Sequence, residues 1–178
     1  MVDNHKNKYL KPINWRYKMK IKKSIIFTIF IMILISCNHE DGILKDSEIV
    51  TAKKAIVEKG DKKNYSKLYI YFNEKENYSE LLSYSLIMAH NYRSADAYFD
   101  VYEIMIKLFN RGNFDENSLE KLDEDSKIYA LKHLLESADL GNSSAKKILI
   151  KYYSEGKYLP KNIVLANKIQ AEITIKRN

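Results

Sequence analysis

Cysteine is almost missing from this chain: Cys37 is the only one, which excludes a scaffold stapled by internal disulfides. Proline and glycine are nearly as scarce, at two and five residues. So few turn formers argue against a fold of many short strands, and the abundance of Leu, Ile, Ala, Lys and Glu favours helices. There is also no glycine-rich phosphate loop and no serine nucleophile motif. An excess of one charge sign is absent too, once the chain is divided. Of the 30 basic and 23 acidic residues, eight basic residues and one acid precede Cys37, leaving 22 of each from Cys37 onward. Those charges interleave, so no stripe of lysines and arginines is available to track nucleic-acid phosphates, and a nucleic-acid partner is excluded.

What is present begins with "MKIKKSIIFTIFIMILISC", Met19 to Cys37. Lys20, Lys22 and Lys23 form a basic start, Ile25 to Ile35 is apolar except for Thr28, and the small Ser36 precedes the cysteine. This is the layout of a secretory signal, and the run falls short of the ~20 apolar residues that a membrane-spanning helix needs. The ending Leu34-Ile35-Ser36-Cys37 resembles the lipobox of bacterial lipoproteins, in which the cysteine thiol receives a diacylglyceryl group and a peptidase cuts just before it. A buried, inert thiol behind an ordinary signal is the plainer alternative. The resemblance implies lipid attachment at Cys37 and anchorage by several acyl chains, each buried methylene adding ~0.8 kcal/mol. It further implies, from Asn38 in place of an inner-membrane-retaining Asp, an outer-membrane lipoprotein facing the periplasm. Residues 1–36 are then a signal peptide, of which 1–18 are a mis-assigned start or an extended basic segment. Residues 37–46 are the lipidated cysteine and a tether reaching at most ~30 Å, and 47–178 are a single α-helical domain.

Hydrophobic spacing predicts helices at about 47–59, 62–74, 79–91, 94–110, 125–139, 143–155 and 162–175. Asp115 to Asp125 reads as a solvated acidic connection in which Ser118 or Asp125 caps the next helix. The C-terminal third is the most regular. Ala130 and Ala138 lie on one helix, Gly141 and Asn142 at a turn, Ala145, Leu149 and Tyr153 on the next helix, and Gly156 and Pro160 before a third. Ala130 recurs as Ala166 after 36 residues. These positions resemble the Sel-one-like repeat, a relative of the tetratricopeptide repeat. The chain departs from it at Ile150 and Tyr158, where the repeat usually has glycine. Weaker echoes place Gly60, Leu68 and Phe72 81 residues before Gly141, Leu149 and Tyr153. The resemblance implies an all-α, short right-handed superhelical solenoid of antiparallel helix pairs, whose units bury their apolar faces only by stacking.

Eight of the fourteen tyrosines fall between Tyr65 and Tyr102. Tyr65, Leu68, Tyr69 and Phe72 share a helical face and read as core. Tyr78, Tyr84 and Tyr92 read as nearer loops or helix ends, where a rigid ring with a polar tip suits a partner-binding surface as well as packing. His39, His90 and His133 have no partners at metal-ligand spacing, and Cys37 is expected to be acylated, so no catalytic residue, metal or cofactor is expected. The acids from Asp115 to Asp125 lack the glycine turn and ligand order of a calcium loop.

A tethered helical repeat body points to protein binding. Small lipoproteins that combine a lipobox with degenerate Sel-one-like repeats include immunity proteins, so the resemblance implies a toxin partner, a lipase-type antibacterial effector. An envelope adaptor is the alternative among binding proteins, and a periplasmic hydrolase is the alternative from another class. A folded pocket with convergent polar groups of shifted pKa would favour the hydrolase.

Overall fold

A computed structural model describes residues 44–175. The expected signal, Cys37, His39 and the expected tether up to residue 43 lie outside the described residues, as do 176–178. Within them the fold is all-α: α1 (Asp46–Lys59), α2 (Lys62–Glu74), α3 (Tyr78–Tyr92), α4 (Ala95–Phe109), a 3-10 helix (Glu116–Lys121), α5 (Glu124–Asp139), α6 (Ser143–Glu155) and α7 (Ile163–Ile175). None of these described helices is long and apolar enough to cross a membrane.

Every α-helix after α1 starts where a short polar side chain satisfies an amide that the helix cannot, whereas at α1 the Glu48 carboxylate reaches back to the Lys45 amide at 3.0 Å. Asp61 Oδ1 accepts from Asn64 N–H at 3.0 Å, Asp123 Oδ1 from Ser126 N–H at 2.9 Å, and Asn142 Oδ1 from Ser144 and Ala145 N–H, both at 2.9 Å. Asn77, Ser94 and Asn162 act likewise for α3, α4 and α7. The cap of α5 is thus Asp123, not Ser118 or Asp125. Asp125 lies inside the first turn, and the Ser118 hydroxyl donates to Asp115 Oδ2 at 3.1 Å within the 3-10 helix.

The stretch from Asp115 to Asp125 is also not a solvated linker throughout. Leu119 and Leu122 are buried, and Tyr152 and Tyr158 donate to the carbonyls of Glu116 and Asn117 at 2.7 and 2.6 Å. Lys151 pairs with Glu116 at 2.6 Å. Because the single Tyr152 proton goes to the Glu116 carbonyl, the Tyr102 hydroxyl, 2.7 Å away, must donate to Tyr152. Tyr152→Phe should therefore cost about 1–3 kcal/mol, since it strands the buried Tyr102 hydroxyl and the Glu116 carbonyl together. Urea denaturation at constant m-value would measure this. Tyr158, which stands where the repeat pattern has glycine, takes the left-handed conformation that favours glycine, at φ 64°. Its ring packs edge-on against Tyr152 at 5.0 Å, an anchorage that offsets the strain.

Two clusters make up the core. Ile56, Leu68, Phe72, Leu81 and Met88 from α1–α3 form one, and Leu119, Leu134, Leu149 and Tyr152 from the C-terminal half join the other. Helix α4 supplies both: Ala97 and Ile104 face the first, Val101, Tyr102 and Ile106 the second. A helix apolar on nearly every side belongs in the interior. Sequence neighbours pack on each other throughout, and α1 also reaches α3.

Among the repeat-pattern residues, Ala130, Ala138, Ala145, Leu149 and Ala166 are buried, and Tyr153 is half-buried. Gly141 and Gly156 have φ of 99° and 74°, and Pro160 precedes α7. Ala145 is fully buried. Ala145→Leu should overpack the site by about 1–3 kcal/mol, readable as a lowered melting temperature.

Candidate functional site

The side chains of α2 are long enough to reach α4, and between the two helices a cleft of about 280 Å³ opens to solvent. Tyr65, Tyr69 and Ile70 of α2 wall one side, with Lys62 at its end. Asp96 and Asp100 of α4 line the other. Helical spacing explains the arrangement: Tyr65 and Tyr69 are one turn apart, as are Asp96 and Asp100.

The Tyr65 hydroxyl lies 2.6 Å from Asp100 Oδ2 and 2.8 Å from Ser85 Oγ, which is in turn 2.9 Å from the Leu81 carbonyl. Counting protons decides how this chain runs. If Asp100 is ionised, the tyrosine and serine hydroxyls hold two protons for three contacts. If Asp100 is protonated, every contact is filled in one direction, from Asp100 to Tyr65 to Ser85 to the Leu81 carbonyl. Burial pushes the Asp100 carboxyl up to about 7, with Glu103 and Asp96 adding repulsion against the Tyr65 hydrogen bond and the Lys107 charge. Burial, then the Asp100 charge, also raises Tyr65 well above the usual phenol range.

One turn further along, the Tyr69 hydroxyl donates to Glu103 Oε1 at 3.0 Å. Burial and the neighbouring carboxylates raise this phenol as well. Lys107, buried despite its charge, pairs with Glu103 and donates to Asn73 Oδ1 at 2.8 Å, with its ammonium over the rings of Tyr69 and Tyr78. A buried cation so surrounded is compensated on each side.

The three tyrosines singled out for a partner surface are half-buried and all touch other elements. Tyr78 donates to the Gly112 carbonyl at 3.3 Å, and Tyr92 to the Val57 carbonyl at 2.7 Å. Tyr84, in the middle of α3 rather than near an end, stacks on Phe72 at 6.4 Å. None lines the cleft, which is instead walled by Tyr65 and Tyr69. Of these, Tyr65 meets the core reading and is buried, whereas Tyr69 is only half-buried.

His90 and His133, unrelated by local spacing, meet in space with their Nε2 atoms 3.2 Å apart. No group of three or more His, Cys, Asp or Glu side chains able to hold a metal ion occurs among the described residues. Sequence spacing missed both the histidine pair and the Asp100 network, because each joins helices far apart in the chain.

The chain matches no protein-family model, no curated protein and no solved structure.

Proposed function

We propose that this chain is a membrane-anchored periplasmic lipoprotein that binds another protein, and that it is an immunity protein neutralising a lipase-type antibacterial effector. The observation that carries the binding reading is the cleft between α2 and α4. Its tyrosine rings present apolar faces beside polar tips, its lining has charges of both signs, and Ile70 sits exposed at its rim. The short connections and sequential packing of the helices support a short solenoid of antiparallel pairs, an architecture that offers extended surfaces to partners. The lipobox residues Leu34 to Cys37 support the anchor, and the resemblance to lipobox proteins with degenerate Sel-one-like repeats supports the immunity role. Occlusion of the effector's active site or membrane-facing surface would neutralise it.

Anchorage is tested by Cys37→Ala. The variant should leave the membrane fraction or accumulate as unprocessed precursor, and unchanged fractionation would contradict the lipid anchor. The immunity role is tested in cells. A strain lacking this chain should be killed by the cognate effector and rescued by the intact chain, whereas Ile70→Glu should fail to rescue although it folds. Rescue by both would remove the cleft from the account.

A hydrolase reading draws on one observation, the Asp100 carboxyl held near neutrality beside a cleft, where an acid–base group works best. Its Oδ2, however, is turned onto Tyr65 and the chain of hydroxyls behind it. That reading requires turnover by the purified protein that Asp100→Asn abolishes.

A further inference from the structure

The pair formed by His90 and His133 lies apart from the cleft and is not used by the binding account. His133, on α5, is buried at 1 % exposure, while His90, near the end of α3, is exposed. The rings stand nearly perpendicular, at 84°, with centroids 5.2 Å apart, and Tyr98 and Tyr129 pack against them. His133 Nδ1 is 2.8 Å from the Tyr129 carbonyl. A carbonyl only accepts, so Nδ1 carries the ring proton and Nε2 presents a bare lone pair toward His90. That is the outer contact by which metal-binding imidazoles are usually held in one tautomer.

We propose that His90 and His133 form a two-imidazole site for a borderline transition-metal cation, Cu(II), Ni(II) or Zn(II), linking α3 to α5. The spacing fits. With metal–nitrogen bonds of ~2.0–2.1 Å, two nitrogens 3.2 Å apart subtend ~100° at the metal, close to a tetrahedral angle. Binding forms one coordinate bond from each Nε2. His133 needs no change of proton, and His90 moves its N–H from Nε2 to Nδ1 through solvent, so the neutral pair binds without net proton release. Two protein ligands leave the remaining positions to water in a solvent-facing pocket that Arg93, Lys132 and Glu136 also line. Arg93 and Lys132 oppose a cation and Glu136 offsets one of those charges. Imidazole selects these metals over Mg(II) and Ca(II), and Cu(II) is expected to bind tightest.

The test uses the full-length chain without a histidine tag, in detergent, titrated with Cu(II) at neutral pH. Intact protein should take up one equivalent with the electron-spin-echo signature of two coordinated imidazoles, and its melting temperature should rise. His90→Ala removes the partner of the buried His133 Nε2, whose place water in the solvent-facing pocket takes, so the metal-free variant should fold and melt somewhat below the parent, yet bind at least ~10-fold more weakly, with the two-imidazole signature lost. His133→Gln gives the second check from the buried side. Binding that is unchanged in His90→Ala, or a signature without two imidazoles in the intact protein, would overturn the proposal. So would no binding at micromolar Cu(II).

Discussion

Gly60→Ala should destabilise the protein by about 2–5 kcal/mol, although it adds a single methyl group. Gly60 closes α1 in the left-handed conformation at φ 60°, which costs a residue with a side chain about 1–2 kcal/mol. The larger effect is steric. A Cβ built at this position would overlap Tyr92 Cδ1 and Cγ, the root of the ring rather than a flexible tip. The ring cannot swing away freely, because its hydroxyl donates to the Val57 carbonyl at 2.7 Å. Accommodation therefore loses that bond or shifts the helix ends, adding about 1–3 kcal/mol. The combination Gly60→Ala with Tyr92→Ala should recover the steric part and keep the conformational part, a coupling that chemical denaturation of the four proteins would measure. Additive losses would contradict this packing.

Asp100→Asn should make the protein more stable above neutral pH and flatten its pH dependence. The carboxyl titrates near 7 in the folded chain, against a reference of 3.8. A folded-state pKa above the unfolded one means that the native state holds the proton more tightly. The contribution is complete below about pH 4 and is lost as pH rises through 7. The difference amounts to on the order of 4 kcal/mol at its limit. Asparagine copies the protonated acid: its Nδ2–H donates to Tyr65, which still donates to Ser85, and Ser85 to the Leu81 carbonyl. The capping residues Asp61, Asp115 and Asp123 have the opposite sign. Hydrogen bonds from backbone amides hold them below the usual carboxylate range, so their contribution is lost as pH falls through those lowered values. The difference between variant and parent cancels these common terms. It should grow from near zero below about pH 4 to its full value by about pH 8, and a constant difference across that range would contradict the desolvation of the Asp100 carboxyl.

The helices were legible because each is long, periodic and capped. Periodicity predicts 62–74 and 143–155, and the helices run Lys62–Glu74 and Ser143–Glu155. The Asp115–Asp125 stretch was not legible. Its two buried leucines, Leu119 in the 3-10 helix and Leu122 at its C-cap, are three apart and surrounded by acids, too short a pattern for a helical period to register. Three aspartates compete there for the cap of α5, and only the tertiary position of the turn selects Asp123. The cleft was half legible. Tyr65 and Tyr69 are visible as a stripe, but Asp100 reads as an ordinary polar residue of a helix, because its hydrogen-bond partner is a tyrosine 35 residues away. His90 and His133, 43 residues apart, carry no local signal at all.

Capture by the full-length chain tests the binding account most directly. The detergent-solubilised protein and its Ile70→Glu variant would be immobilised and exposed to envelope and secreted proteins of the same organism, and whatever is retained identified by mass spectrometry. One toxin-like effector should be retained at stoichiometric level by the parent and lost with Ile70→Glu. Retention of nothing, or of the same proteins by both, would contradict it.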